Sequence, residues 1–578
     1  MSLPIGNSRP KGRTPEEDAA LWRRFRGTLG ESARPSATQW LKVITTPSPA
    51  FDWSRFNHLG PHDPQRGAAL ARGIWRAGTE RFEASGEELP WDFTQASLHF
   101  KDRMHRFDWL VHLSAEGPQG AEKAIDLVDA WIETHGKFDG FSWRAGPCAD
   151  RVWNWMRCGR LLFGSVESES PEAKTRIGVL RRQVSHLEAL AGSTADIDAR
   201  FRAAMILTVL AALESDGGRL RASLELLESE CTAQILPDGG HVSRSPERLL
   251  RAMLDLASVG STLRLSGHPE PEFLSKWMPR MGAMLNFFRC DDGALYPFND
   301  GAEASPEDID AALDSLETPP RRFTFSPKSG FQKLERGDLR LVLDVGRAPD
   351  QPFGDMAHAG ALGFELSDGP ARIVTSCGYS REVNVDLQAA VRRSGAHSTL
   401  VLAGRDNSSF TVNESSRLLS PNGPEGISAK RLEEDHEIWL DAQHSGYKQT
   451  FGLLHRRRLF MAGDGKRLTG EDSLVRPVSR EHVDDDRPIG FEIRFHLHPT
   501  VTALMGRGAI LLECENGARW RFKTSHPGAR LERSLYFARN TLEHPDQIVI
   551  SGRADPNSDG SEPPNCVRWA FLRDTGSP

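Results

Sequence analysis

The chain has 578 residues, of which 38% are hydrophobic and 26% are charged, and its formal net charge is −7 at pH 7. This composition excludes an intrinsically disordered chain and a membrane-embedded one. The acidic balance does not favour a nucleic acid as the main partner. We therefore expect a globular protein that is long enough to bury large cores.

The compartment is predicted from the cysteines and from the N-terminus. The seven cysteines are dispersed and form neither a C-x-x-C pair nor a zinc-type spacing, which is typical of reduced, buried thiols. Residues 1–27 contain no apolar segment of the secretory type, and no window approaches about 18 uninterrupted apolar residues. The sequence predicts a cytoplasmic protein without a membrane span. A periplasmic location is the alternative if a leader precedes this sequence.

Residues 1–301 are predicted to be helical. Apolar residues recur at i, i+3, i+4 and i+7, and several of these segments end at Gly or run into Pro. Short polar turns between successive segments indicate antiparallel helix pairs rather than βαβ units. The segments are 68–78, 121–136, 151–164, 201–216, 246–267 and 275–291.

Residues 302–329 carry four prolines and many acidic residues, so we interpret them as a linker. From residue 330 to 578 the pattern changes to short, β-rich segments bounded by Gly, Asp, Asn or Pro. Many strands without intervening helices predict antiparallel sheets stacked as a sandwich. The segments are 339–346, 361–369, 371–378, 398–406, 437–446, 491–501, 509–524, 547–554 and 566–574.

Five strings, in this order and on these predicted elements, resemble the heparinase II/III family of polysaccharide lyases. Three lie in the helical half: SLHFKDRMHRFDWLVHL (97–113), WRAGPCADRVWNWM (143–156) and ILPDGGHVSRSPERLL (235–250). Two lie in the β half: MAHAGALGFELSDGPARIVTSCG (356–378) and RRSGAHSTLVLAG (392–404). The resemblance implies an incomplete (α/α) toroid at 1–301 and an antiparallel β-sandwich at 330–578, with the polysaccharide between them.

The resemblance also implies β-elimination at a uronic acid. That reaction needs a group that neutralises the carboxylate, a base that takes the C5 proton and an acid that protonates the departing O4. In the family these roles belong to an Asn or His of a toroid helix, a Tyr, and a His of the sandwich. Some members also hold a structural metal through His, Asp and His.

The sandwich strings match the family's pattern only in part. His358 matches the second His of its H-x-H-x-D string, whereas Met356 replaces the first His and Gly360 replaces the Asp. Ser376 stands where the family has the metal-ligand Asp, and His397 matches the His of its Ala-His-Asn pattern. Two imidazoles without a carboxylate make a poor zinc site, so we expect no cofactor, with a divalent metal at the two histidines as the less favoured alternative. His358 and His397 would then act as a proton-transfer pair or form hydrogen bonds within the sandwich.

The toroid strings depart from the family's pattern further. Ala199-Arg200 stands at the family's Asn-His, and Arg200 would bind a carboxylate through its fork or lie on a solvated helix face. The segment that should carry the catalytic Tyr, 245–253, contains no Tyr. Tyr296 is the predicted replacement acid, with Asn299 and Asp300 beside it at the rim of the cleft. An ordered turn is the alternative for this loop.

The string Asp238-Gly-Gly-His241-Val-Ser-Arg244 is the best local constellation. The glycines permit a tight loop at the start of a helix, so we expect His241 to transfer a proton and Arg244 to hold the uronate. The alternative is a capping turn. Asp238, paired with Asp150 or Glu247, is the only basis for a second hypothesis, glycoside hydrolysis.

A further substrate contact is predicted on one helix. Arg151 and Trp155 lie four residues apart on one face, a spacing that suits carboxylate binding and sugar stacking, and Asn154 lies beside them. A role in the core is the alternative. His496 and His498 share one strand face, where a metal is less favoured than simple exposure.

The leading functional hypothesis is a polysaccharide lyase that cleaves a uronate-containing glycan. Its alternatives are a glycoside hydrolase and a non-catalytic glycan-binding relative. The expected partner is an acidic polysaccharide or oligosaccharide, and a homodimer is left open.

Overall fold

The computed structural model describes residues 51–574 except 61, 79, 85–87, 165–169, 191–195, 350–352, 355, 381–382, 384, 413–418, 478–486 and 539–540. The chain forms two compact units. The helical unit contains the residues up to Gln234 together with Arg251–Met278, and the sandwich unit contains Ile235–Leu250 together with the residues from Pro279 onward. All seven cysteines are free and buried.

The helical part begins with a short helix and a β-hairpin and continues with successive helices. The hairpin strands are β1 (Ile74–Ala77) and β2 (Glu80–Glu83). The helices are α1 (Pro64–Ala71), α2 (Leu98–His105), α3 (Leu110–Ser114), α4 (Gly117–His135), α5 (Ala145–Arg157), α6 (Gly159–Phe163), α7 (Pro171–Leu190), α8 (Ile197–Leu213), α9 (Gly217–Gln234), α10 (Pro246–Leu265) and α11 (Glu272–Phe288). Among the described residues, no helix is long and apolar enough to cross a membrane.

Side-chain caps determine where several helices begin. The carboxylates of Asp63 and Asp196 and the hydroxyl of Ser97 accept hydrogen bonds from backbone N–H groups in the first turns of α1, α8 and α2. Each cap satisfies one of the amides that a helix start leaves without a partner, and is worth about 1 kcal/mol.

Aromatic packing forms the core of the helical unit. The rings of Phe107 and Trp155 each lie 5.7 Å from the ring of Trp131, edge to face, and all three side chains are buried. This geometry is the favourable one for aromatic pairs, at roughly 0.5–1.5 kcal/mol each beyond the burial itself.

Residues 302–329, expected to be a linker, contain the helix α12 (Pro306–Asp314) and the strand β3 (Phe325–Ser326). Ser305 caps this helix, and Pro306 occupies its first turn. Ile309 and Ala312 are buried. The proline that we interpreted as a loop signal is therefore a helix-start signal.

The sandwich unit consists of two large antiparallel sheets. The strands after β3 are β4 (Phe331–Arg336), β5 (Leu339–Asp344), β6 (Phe364–Asp368), β7 (Ala371–Thr375), β8 (Leu400–Leu402), β9 (Ser409–Val412), β10 (Leu419–Asn422), β11 (Ser428–Glu434), β12 (Glu437–His444), β13 (Leu454–Met461), β14 (Arg467–Val475), β15 (Ile489–Leu497), β16 (Thr502–Met505), β17 (Ile510–Glu513), β18 (Arg519–Thr524), β19 (Ala529–Arg533), β20 (Tyr536–Ala538), β21 (Thr541–Glu543), β22 (Asp546–Ala554) and β23 (Cys566–Arg573). Two short helices, α13 (Val385–Val391) and α14 (Lys448–Phe451), interrupt the strands.

The order of the strands differs between the two sheets. One sheet has eight strands in the order β11-β12-β13-β14-β23-β18-β17-β16. The other has nine, in the order β19-β22-β15-β7-β6-β5-β4-β3 with β8 also paired to β15.

Alternation along the strands directs apolar side chains to the core. In β12, Ile438, Leu440 and Ala442 are buried, whereas Trp439 between them is exposed. This period of two is what a half-buried strand requires. The predicted fold class, helices followed by antiparallel sheets, is confirmed.

Candidate functional site

His358 and His397, called the imidazole pair below, are brought together in the sandwich unit. His358 lies between β5 and β6, and His397 directly follows a short 3-10 turn at Ser394–Ala396. Their ring centroids are 5.3 Å apart, and each residue is only 6% exposed. A Cβ atom at Gly360 would lie 3.1 Å from Nδ1 of His397. The glycine that replaces the family's Asp therefore makes room for this ring.

Backbone contacts fix the position of His358. Its N–H donates to Oδ1 of Asn299 at 3.2 Å, and Nδ2 of Asn299 donates to the carbonyl of Arg244 at 2.9 Å. On the other side, Nε of Arg392 donates to the carbonyl of Ala357 at 3.0 Å. Asn299 therefore acts as a positioning residue for the imidazole pair, and it is 5% exposed rather than at an open rim.

The imidazole pair is uncharged at neutral pH. Burial, with His397 and Arg392 nearby, holds the pKa of His358 well below its usual value of 6.5, and burial lowers the pKa of His397 to about 4. Among the described residues, Nε2 of each ring has no hydrogen-bond partner. A base with so low a pKa is poorly matched to proton abstraction near pH 7.

Tyr379 completes this cluster and was not singled out in the sequence. Its ring lies 5.5 Å from that of His358, and its hydroxyl donates to Oε1 of Gln388 at 3.1 Å. The residue is 1% exposed. Its position three residues after Ser376, directly after the string that carries the family resemblance (356–378), is the signal that could have identified it.

Tyr296, the predicted replacement acid, lies elsewhere in the core. Its hydroxyl shares a 2.7 Å hydrogen bond with Oγ of Ser367 on β6, and the guanidinium of Arg372 lies 5.5 Å from its ring. Burial raises its pKa well above 10. The geometry therefore does not support the expectation that Tyr296 donates a proton to substrate, which stays a prediction. Neighbouring Asp300 is buried and paired with Arg248.

Arg244 is a structural residue in this fold. Its guanidinium pairs with Asp344 and donates to the carbonyls of Ser329 at 2.7 Å and Gly330 at 3.2 Å. It also lies 4.7 Å over the ring of Phe331. The geometry does not support the prediction that Arg244 holds a uronate, because its donors already have partners inside the protein.

His241 and Asp238, which lie in the same loop as Arg244, also form hydrogen bonds within the protein. Nδ1 of His241 hydrogen-bonds to Oγ of Ser243 at 2.7 Å, and His241 is 4% exposed. Asp238 accepts from the backbone N–H groups of Lys328 and Ser329 at 2.9 and 2.7 Å. The capping-turn alternative describes this loop, and the predicted catalytic role of His241 has no support in the geometry.

The predicted contacts on α5 are also internal. Arg151 is fully buried, and its guanidinium donates to Oε1 of Gln183 at 2.6 Å and lies 4.2 Å from the ring of Trp131. Trp155 is fully buried, and Asn154 donates to the carbonyl of Arg106 at 3.0 Å. This burial favours the core alternative for the helix, and the sugar-stacking role stays a prediction.

The remaining charged candidates are held in ion pairs. Nε of Arg200 lies 2.5 Å from a carboxylate oxygen of Glu230. The carboxylate of Asp150 lies 2.6 Å from Arg106 and 3.0 Å from Arg202. Glu247 accepts from the N–H of Ala302 at 2.9 Å. With Asp238 also used as a turn-stabilising acceptor, no observation supports the hydrolase pairs.

The side chains around the imidazole pair do not fit the family's His–Asp–His metal set. Within the described residues, no three His, Cys, Asp or Glu side chains are grouped to hold a metal ion. Nδ1 and Nε2 of His496 bond to Oγ of Ser534 and the carbonyl of Gly395, and His498 pairs with Glu303 at 3.2 Å.

Comparison with known proteins gives consistent results. Residues 318–570 match the family described as "Heparinase II/III-like, C-terminal". The FtsZ-localized protein C of Caulobacter vibrioides (strain NA1000 / CB15N) is 30% identical over 577 residues, which cover 96% of each chain. The crystal structure of heparinase III matches with a TM-score of 0.64 at 13% identity, over 96% of this chain and 92% of that one. A mutant of the heparan sulfate lyase HepC from Pedobacter heparinus matches with a TM-score of 0.56 at 14% identity, over 97% of this chain and 89% of that one.

Proposed function

Because the chain belongs to the heparinase II/III family and has the fold of its polysaccharide lyases, we propose that it binds an acidic, uronate-containing glycan without cleaving it. The observation that carries this proposal is the internal use of the predicted catalytic groups. Each of the five is buried. They are His241, Arg244, Tyr296, His358 and His397.

Each of the three roles of β-elimination falls on side chains that are buried or paired inside the protein. Gln183, Glu230 and Asp344 each bind one of the three arginines predicted to neutralise a carboxylate, which are Arg151, Arg200 and Arg244. Nη2 of Arg151 has no hydrogen-bond partner among the described residues, and the Arg200 side chain is 29% exposed. The imidazole pair is neutral but too weakly basic at its depressed pKa. The predicted acid, Tyr296, is bonded to Ser367. These facts support binding over turnover.

The name of the 30% identical relative does not refer to polysaccharide cleavage. "FtsZ-localized protein C" describes where that protein is found and not a reaction. It covers 96% of this chain at about twice the identity of the lyase structures, which establish the fold alone.

A lyase remains the second candidate, and one observation favours it. The two imidazoles and the phenol of Tyr379 are adjacent, and Nε2 of each imidazole has no partner among the described residues. In this function His397 takes the C5 proton and Tyr379 protonates O4, after a rearrangement that admits the glycan. The reaction needs no co-reactant and leaves an unsaturated uronate.

The two candidates are distinguished by measuring binding and product on the same samples. Heparan sulfate, chondroitin sulfate, alginate and polygalacturonate are incubated with the protein, and the ultraviolet absorbance of an unsaturated uronate is followed while binding is measured by calorimetry. We expect heat of binding with constant absorbance. Absorbance that grows with the wild type and is lost in both His397→Ala and Tyr379→Phe would establish the lyase. No binding to any glycan would overturn the proposal.

A further inference from the structure

The outer face of the eight-stranded sheet carries an exposed apolar row. Leu432 on β11 pairs in register with Trp439 on β12, which pairs with Phe460 on β13. Leu432 is 57% exposed and Trp439 is 50% exposed. The two aromatic ring centroids are 4.3 Å apart. We call these three residues the aromatic row.

The aromatic row does not contribute to the core of the sandwich. Its neighbours along β12, Ile438 and Leu440, are the residues that point inward and are buried. Adjacent exposed apolar side chains on a sheet face form a contiguous patch, and such patches mark interaction surfaces. Strands lie about 4.8 Å apart, so the row extends roughly 10 Å across three strands. That length suits an extended ligand.

Cations outnumber carboxylates on the face that surrounds the aromatic row. The register of β11, β12, β13, β14, β18 and β23 places eight cationic side chains and four carboxylates on this face, in a chain whose net charge is −7. The cations are Lys430, Arg456, Arg458, Arg467, Arg519, Arg521, Lys523 and Arg568, and the carboxylates are Glu434, Glu437, Asp441 and Glu471.

Two of these cations border the aromatic row directly. Arg467 lies with its guanidinium carbon 5.1 Å from the ring of Phe460, and Lys430 is two residues from Leu432 on the same strand face. Neither forms an ion pair with another residue in the described part of the chain. Arg458 and Arg568 share the single carboxylate of Glu471. The face is therefore complementary to an anionic ligand.

We propose that this face binds an acidic oligosaccharide. The apolar side of a sugar ring stacks on Trp439, as amphipathic ligands do on exposed indoles, and Arg467 and Lys430 contact its carboxylate or sulfate groups. The inference rests on the proposed function for the class of ligand, and adds its location. The surface is separate from the imidazole pair, which lies beside strands of the nine-stranded sheet.

The test uses full-length protein and three defined probes: a heparin hexasaccharide, an alginate hexasaccharide and the neutral cellohexaose. Trp439→Ala removes the stacking surface, and Arg467→Gln removes a cation. Leu504→Ala is the matched control, because Leu504 is 59% exposed on β16 at the far edge of the same sheet. Thermal unfolding verifies that each variant is folded.

We expect Trp439→Ala to weaken binding of an acidic hexasaccharide about tenfold, and Leu504→Ala to leave it within about twofold. Arg467→Gln should weaken the binding of both acidic probes and make that binding less dependent on salt concentration. The wild type and all variants should bind cellohexaose poorly. If the wild type binds acidic probes and Trp439→Ala binds them equally, the location is wrong and the proposed function stands. If the wild type binds none of them, both are wrong.

Two further outcomes would overturn the location alone. Binding of cellohexaose as tight as that of the acidic probes would show that the cations are not recognition groups. A dimer that dissociates in Trp439→Ala, with unchanged glycan affinity, would assign the face to a second copy of the chain.

Discussion

Glu365 is a buried carboxyl group whose replacement tests how strongly burial changes a pKa in the sandwich unit. It lies on β6, is 1% exposed, and its Oε1 accepts from the N–H of Ser376 at 2.8 Å. Ser376 is the residue that stands where the family has a metal-ligand Asp. Burial raises the pKa of Glu365 to about 8. The side chain is therefore neutral in the folded protein at pH 7.

The sign of the effect follows from the two pKa values. In the unfolded chain the carboxyl group ionises near its ordinary value of 4.5, whereas in the folded protein it holds its proton until about pH 8. Stability from this group is fully present below pH 4.5 and is lost as the pH rises toward 8. Between pH 5 and pH 7.5 the loss is about 3 kcal/mol, from roughly 1.4 kcal/mol per pH unit.

The perturbation is Glu365→Gln, which cannot ionise but keeps an oxygen to accept from Ser376. The free energy of unfolding is measured by urea denaturation, followed by tryptophan fluorescence, at several values between pH 5 and pH 7.5. The difference between variant and wild type cancels the titration of other groups. The free energy of unfolding of the variant minus that of the wild type should increase by about 3 kcal/mol from pH 5 to pH 7.5.

The matched control is Glu515→Gln, because Glu515 is an exposed carboxylate in the same unit. It measures what the loss of one exposed carboxylate does to the free energy of unfolding over the same pH range. A difference for Glu365→Gln that does not change with pH would refute the reasoning, since it would mean that the buried carboxyl titrates as it does in the unfolded chain.

Three further predictions follow from buried contacts. Arg244→Ala should destabilise the protein by roughly 3–5 kcal/mol in urea denaturation, because Asp344 is left buried without its ion pair; an unchanged stability would contradict the structural role. Because the pKa of His397 is lowered to about 4, the stability that its neutral imidazole contributes is lost as the pH falls from 6.5 toward 4. His397→Asn should therefore make the free energy of unfolding less dependent on pH over this range. An unchanged pH dependence would argue against a neutral imidazole. Gly470→Ala should cost about 1–3 kcal/mol, since a Cβ there would overlap the ring of Trp569 in the core; a neutral result would show that the core relaxes.

The fold class could be predicted because it depends on local periodicity. The helices repeat every three to four residues, and β12 alternates over eight residues, so each element carries its own signal. The interpretation of 302–329 as a linker treated Pro306 as a loop signal. In the structure it is the first residue of α12, capped by Ser305.

The candidate site could not be predicted to the same extent because its outcome depends on distant partners. Arg244 is bonded to Asp344, 100 residues later, and Tyr296 to Ser367, 71 residues later. A single sequence shows that an arginine or a tyrosine is present but not whether its polar atoms are already used. The proximity of His358 and His397 was suggested by the family strings, and the structure brings the two rings together.

We propose that this protein, which has the fold of polysaccharide lyases, binds an acidic glycan without β-elimination. The most direct test is a single sample in which the tightest-binding uronate glycan is incubated with excess protein, and both bound glycan and ultraviolet absorbance are recorded over time. We expect saturable binding, full recovery of intact glycan and no rise in absorbance. A rise in absorbance that is proportional to protein concentration and absent in His397→Ala would contradict the proposal.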